Sequence, residues 1–200
     1  MLSEEKINTN YIKWIEKLQK YSCYSEEMIN DIGNNIKTAS FSINETSGCA
    51  YSGSMIDVVL NKLCTIAFSI NEFGYKYSQN LKVNPQMLMR VLLLQHISKC
   101  ELFIPQTQQW KLKNGFPFEF NPDLNAKLKC GERSLYLCNR YGIKFSEDEF
   151  EAMTIIDKQD EKFDFFITPL SALVKSVNQM AQIDLRIEYN KNKQINTIEK

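Results

Sequence analysis

The spacing of apolar and polar positions divides the chain into helical stretches joined by polar turns, with one aromatic interruption. Between residues 3 and 21, Ile7, Tyr11, Trp14, Ile15, Leu18 and Tyr21 recur at intervals of three and four, which draws one helical face. Ser25 followed by Glu26 and Glu27 places a cap and two acids at the positive end of a second helix, running to about Thr38. Residues 38–53, rich in Ser, Thr, Asn and Gly, read as irregular chain. From about Gly53 to Phe73 the sequence is apolar almost all round (Met55, Ile56, Val58, Val59, Leu60, Leu63), the pattern of a central helix. Pro85 opens another, expected to run unbroken through Met87 to Lys99.

The character changes over residues 101–121, where short alternations rich in Phe and Trp flank Asn114-Gly115, a strong signal for a tight hairpin turn. Helical patterns then resume. One spans Gly131 to Tyr141 and is closed by Gly142. The next opens on Ser146 with Glu149 three residues on, a capping box, and runs to about Lys158. The last starts at Thr168-Pro169 and carries Leu170, Leu173, Val174, Val177, Met180, Ala181 and Ile183. Residues 189–200 are polar and expected to fray. Without repeats or linkers, the expectation is a single all-α domain over residues 1–200, with N-terminal helices at 1–45, a core at 46–188 and a polar tail. A small β-hairpin is inserted around residues 101–121.

Composition narrows the function. Lys and Arg number 24, as do Asp and Glu, so the net charge is zero, which argues against a nucleic-acid binder working by bulk electrostatics. The start of the chain lacks a signal-peptide pattern and the longest apolar run, near Met87–Leu94, is broken by Arg90. A cytoplasmic protein with no membrane partner is therefore expected. The six cysteines, at 23, 49, 64, 100, 130 and 138, have irregular spacing with no C-x-x-C pair, and read as reduced structural thiols. His96 is the sole histidine, which rules out any site built on several imidazoles. The excess of Lys over Arg, with abundant Ile and Asn, has the flavour of an A+T-rich bacterial or phage genome.

Several strings, taken in order, carry a resemblance. Ala50-Tyr51-Ser52-Gly53-Ser54-Met55-Ile56-Asp57-Val58 resembles the first helix motif of HD-domain metal-dependent phosphohydrolases, and Leu93-Leu94-Gln95-His96-Ile97-Ser98-Lys99 resembles their defining His-Asp segment. Trp110 and Gly115 fall where some members insert a hairpin. Cys130-Gly131-Glu132-Arg133-Ser134, then Glu149-Phe150-Glu151-Ala152-Met153, and finally Pro169-Leu170 with Val177-Asn178 continue the series, so that the likeness spans residues 45–182. It implies an HD-like helical bundle over the core.

The family's chemistry rests on histidines and aspartates that hold a metal, which acidifies bound water and neutralises phosphate oxygens. Carried over one position at a time, the first His falls on Val58, the His-Asp pair on Gln95 and His96, and the last Asp on Asn178. The auxiliary histidines fall on Cys130 and Ile156. Neutral amides without a charged partner are poor ligands for a divalent cation. The resemblance thus implies a pseudoenzyme with no catalytic residues, no metal and no cofactor. Its vestigial pocket would be built from Val58, Gln95, His96, Lys99, Cys130, Glu132, Arg133, Ile156 and Asn178.

Three functions remain open. The first is a catalytically inactive binding or assembly component, its partner another protein, a second copy, or a small nucleotide-like ligand. The second is a phosphohydrolase with an unconventional metal site. The third is a phage-encoded structural or accessory protein reusing the scaffold. A Cys130–His96 nucleophilic pair lacks any orienting motif, Lys99 and Arg133 are the candidate anion contacts, and Asp57 reads as structural.

Overall fold

Polar clamps and close-packed apolar faces tie ten helices and one small sheet together in the computed structural model, which describes residues 2–77, 82–124, 127–157 and 167–198. Helix α2 (Glu26–Thr38) begins where its cap predicts, with Ser25 Oγ accepting from Met28 N, and α1 (Glu4–Lys20) is capped by Ser3, whose Oγ accepts from Lys6 N. Trp14 on α1 is fully buried, and its indole N–H donates to Leu93 O at 3.1 Å, which fixes α1 against α5 (Pro85–Leu94). At the heart of the core, Val91, Leu92, Leu93 and Leu94 of α5 are almost wholly inaccessible. Arg90, which breaks that apolar run, serves as a clamp. Its Nε pairs with Glu149 at 2.7 Å, and its terminal nitrogens donate to the Ser22 and Lys144 carbonyls.

The expected helix from Gly53 to Phe73 is composite. Helix α3 (Ser54–Val58) passes through a π-helical turn at Val59–Leu63 into α4 (Cys64–Tyr77). Asp57 is structural, as expected: its carboxylate accepts from Asn10 Nδ2, Asn61 Nδ2 and the Tyr51 hydroxyl at 2.7–2.9 Å, joining α1 to α3. Contrary to the expectation drawn from unbroken apolar runs, the Ser54–Phe73 stretch is long and apolar enough to cross a membrane; half of it is buried within the bundle.

Two expectations fail between residues 87 and 121. The helix from Met87 does not reach Lys99 unbroken. Helix α5 stops at Leu94, and α6 (Lys99–Leu102) begins after a four-residue constriction held by i→i+3 bonds, Ile97 N to Leu94 O and Lys99 N to His96 O among them. Hydrophobic periodicity does not reveal this tightened turn, because its polar residues Gln95, His96 and Ser98 are buried together with Ile97. Nor is Asn114-Gly115 a two-residue hairpin turn. The strands are β1 (Phe103–Pro105) and β2 (Phe118–Phe120), paired antiparallel with Phe103 opposite Phe120, and helix α7 (Gln109–Lys113) lies between them. Asn114 and Gly115 end α7, donating back to Trp110 O and Leu112 O.

Helix α8 (Cys130–Arg140) ends before Gly142, and α9 (Glu147–Thr154) opens on the reciprocal Ser146–Glu149 capping bonds. The chain then forms a 3₁₀ turn at Ile155–Asp157; the expected end near Lys158 lies outside the described residues. Helix α10 (Pro169–Ile198) is longer than expected, since the polar stretch from residue 189 stays helical through Ile198 instead of fraying. Lys62 Nζ anchors the helix just before that region, on Asp184 and Glu188.

Helix α8 crosses α9 at Gly131. A Cβ there would fall inside contact distance of the Met153 carbonyl oxygen and 2.8 Å from Asp157 Oδ2. Gly131→Ala should therefore destabilise the protein by about 1–3 kcal/mol despite its better helix propensity, measured by urea denaturation. Gly142→Ala meets nothing within 4 Å and strains only a backbone at φ +73°, so its loss should stay nearer about 1 kcal/mol. Equal losses at the two sites would refute close packing at the α8–α9 crossing.

Candidate functional site

The constriction between α5 and α6 turns a run of polar side chains into the interior. Gln95 is fully buried, His96 and Lys99 nearly so. A buried polar group needs partners, and these come from α8 and α10. Asn178, one helical turn beyond Val174 on α10, donates from Nδ2 to Val174 O at 2.8 Å and to Gln95 Oε1 at 3.2 Å. Its Oδ1 is thereby left facing His96 Nε2 at 2.9 Å, so the imidazole donates from Nε2. The bare Nδ1 lies 3.7 Å from Cys130 Sγ, whose thiol donates to it. Phe41 packs edge-on to the imidazole, ring centroids 4.7 Å apart.

The arrangement is electrically neutral. Burial first, then the charge of Lys99, hold the His96 imidazole well below its ordinary 6.5, against its hydrogen bond to Asn178. Burial also pushes the Cys130 thiol up, so a thiolate–imidazolium pair is disfavoured. Ser98 adds a hydroxyl 2.8 Å from Cys130 O, and Ser134 Oγ donates to Gln95 O at 2.9 Å. The amide Nε2 of Gln95 has no protein acceptor among the described residues, a cost on the order of 1–3 kcal/mol.

Beside this network opens a cleft of about 530 Å³. Its floor includes His96, Cys130 and Asn178; Leu102, Phe103, Phe120, Leu128 and Ile156 form apolar walls; Lys99, Lys129, Lys175, Gln179 and Gln182 supply polar lining. Phe103 and Phe120, opposed across the sheet, stack edge to face at 5.4 Å. Asp157 also lines the cleft, where its Oδ2 accepts from Gly131 N at 2.8 Å and Glu132 N at 3.2 Å. That carboxylate occupies the amides at the start of α8, a position that otherwise attracts anions.

Of the residues expected to form a pocket, His96, Lys99, Cys130, Ile156 and Asn178 come together at the cleft, and Gln95 backs them through Asn178. The others lie elsewhere. Val58 is buried in the core just before the π turn. Glu132 turns back on its own helix start, accepting from Lys129 N at 3.0 Å. Arg133 is buried and paired with Glu101 at 3.1 Å, so it is not the anion contact expected of it. Lys129, Asp157, Lys175, Gln179 and Gln182 were not anticipated. The four last reach the cleft through the 3₁₀ turn after α9 and the flank of α10, which the sequence marks only by polar residues at Lys175, Gln179 and Gln182, spaced four and three apart.

A metal centre does not fit these residues. Among those described, no group of three His, Cys, Asp or Glu side chains converges on one point, and both imidazole nitrogens are engaged, one by an amide and one by a thiol. The groups can instead orient a ligand through neutral hydrogen bonds and peripheral positive charge.

The neutral imidazole has a consequence for stability. Below its ordinary 6.5 the unfolded chain binds a proton at His96 that the native chain refuses. Stability should therefore be full above that pH and fall as pH drops beneath it, with a slope approaching 1.4 kcal/mol per pH unit. Urea titrations of wild type and His96→Gln between pH 7.5 and pH 5.5 should diverge in slope, the variant lacking this component. Parallel slopes would contradict a buried neutral imidazole. In comparisons with protein-family models, curated proteins and solved structures, no match to this chain was found.

Proposed function

We propose that this chain is a non-catalytic, HD-like binding protein whose cleft takes a small anionic ligand bearing a flat ring, of the nucleotide kind. One observation carries the reading. An open cleft of about 530 Å³ adjoins a centre of uncharged side chains, His96, Asn178, Gln95 and Cys130, joined by hydrogen bonds. That volume falls in the range of small-molecule sites. Lys129 and Lys175 supply positive charge for a phosphate, the Gln179 and Gln182 amides supply hydrogen bonds, and Phe103 with Phe120 offers an aromatic wall. Because Asp157 already holds the α8 amides, the anion is bound by side chains and not by the helix start.

A second reading, assembly with another protein, draws on a different surface. Trp110 and Phe120 are each 63% exposed, and with Ile43, Phe116 and Phe118 they line a shallow groove of about 380 Å³ beside the hairpin. Exposed aromatics in such a groove suit a protein contact.

Thermal denaturation with nucleoside mono-, di- and triphosphates tests the first reading, alongside an assay for released phosphate. A ligand at a hundredfold excess over its Kd should add about 2.7 kcal/mol, or roughly 5–10 °C in Tm, with no phosphate released. Charge reversal of both Lys129 and Lys175 to Glu should remove the shift. Unchanged Tm with every nucleotide would overturn the ligand reading. Phosphate release abolished by His96→Gln would replace it with the enzymatic one. Self-association lost on Trp110→Ala would favour assembly.

A further inference from the structure

Lys99 is the cation that neither the fold nor the ligand reading fully uses. It opens α6 directly after the constriction, is only 9% exposed, and lines the cleft. Its Nζ donates to Phe41 O at 2.7 Å, stands 3.4 Å from the Phe41 ring centroid, and lies 5.9 Å from that of Phe103. No carboxylate comes within ion-pair distance of Lys99 among the described residues. Glu101, nearby on α6, is committed to Arg133, and Asp157 accepts from the α8 amides. A buried ammonium with carbonyl and π contacts, offset only by the Asp157 carboxylate beyond ion-pair distance, is a costly state. Loss of its proton relieves that cost and exposes a nucleophilic lone pair.

We propose that Lys99 is a covalent attachment point: its neutral amine condenses with an aldehyde that enters the cleft and carries an anionic group. The anionic part rests on the ligand reading above, whereas the condensation rests on Lys99 alone. The amine lone pair attacks the carbonyl carbon, forming a C–N bond as the C=O π pair moves to oxygen and takes up a proton. The carbinolamine then loses its hydroxyl together with a nitrogen-bound proton, as one water, and leaves an imine. Electrons and atoms balance without an oxidant or reductant. Burial holds Lys99 below its ordinary 10.5, which raises the fraction of free amine near neutral pH. Half-buried Leu102 and Phe103, with Phe120, form the apolar side of the cleft against which an aromatic aldehyde can pack. On the rim, Lys129 and Lys175 draw in the anion.

Pyridoxal 5′-phosphate is a suitable probe, being an aromatic aldehyde with a phosphate, and pyridoxine 5′-phosphate is its counterpart lacking the aldehyde. The full chain would be incubated at neutral pH with substoichiometric aldehyde, reduced with borohydride to fix any imine as a secondary amine, and mapped by peptide mass spectrometry. The expected result is an adduct concentrated at Lys99, at least tenfold above any exposed lysine and absent in Lys99→Arg. Mapping the wild-type chain decides the matter even if that variant does not fold. Adducts spread over exposed lysines, with Lys99 unmodified, would overturn the proposal. A Tm rise with pyridoxine 5′-phosphate but no Lys99 adduct would overturn the condensation and leave the ligand reading standing. An adduct at Lys99 without any response to the alcohol would support the condensation and count against the ring-and-phosphate reading.

Discussion

The side-chain amide of Asn178 is the constraint on which the site depends. One group receives the His96 N–H, donates to Gln95, and donates again to the carbonyl one turn back on α10. It therefore couples the longest helix to the α5–α6 constriction and fixes which imidazole nitrogen carries the proton. Asn178 is matched at both ends, to His96 and to Gln95 Oε1, and among the three side chains the orphaned group is Gln95 Nε2, at a cost on the order of 1–3 kcal/mol. The bare Nδ1 is then left to the Cys130 thiol, which brings the start of α8 into the same cluster.

This coupling explains how an open cleft persists beside a buried centre. The floor is tied by hydrogen bonds that have no ionised member, and the walls are held independently. Asp157 pins the 3₁₀ turn to α8, the β1–β2 pairing sets Phe103 against Phe120, and α9 is held to α5 by the Arg90–Glu149 pair. The cleft is thus preorganised without metal chemistry, and recognition by peripheral lysines follows as the reading best supported. Lys99 stands apart as a buried cation in need of relief, and covalent capture of an aldehyde is its proposed outlet.

The sequence spoke clearly wherever a local rule governs. Ser25 and Ser146 capped helices as their side-chain chemistry requires, and the three–four spacing from Ile7 to Leu18 oriented α1 with Trp14 inward. Where a long-range contact decides, the sequence was mute. The break after Leu94 falls on Gln95, His96 and Ser98, whose polarity suggests an exposed helix face although all three are buried. Asn114-Gly115 carries a hairpin signature, but the alternating Trp110-Lys111-Leu112-Lys113 coils into α7 and uses the pair to end it. His96, Lys99, Cys130, Ile156 and Asn178 were singled out through a resemblance and do meet at the cleft. Asp157, Lys175, Gln179 and Gln182 carry no motif, and only the crossing of α10 past the α9 turn brings them there. Arg133 looked like an anion contact because charge is visible in a sequence, whereas its Glu101 partner and its burial are not.

The central claim is that the centre is a neutral hydrogen-bonded network and not an ionised or metal-binding site. A single histidine in the chain makes it directly observable, since the imidazole nitrogens of ¹⁵N-labelled protein can belong only to His96. The account predicts the Nε2–H tautomer, with Nδ1 unprotonated, persisting well below pH 6.5 and undisturbed by added manganese. Titration near 6.5, an Nδ1–H tautomer, or paramagnetic broadening of the ring signals by manganese would contradict it.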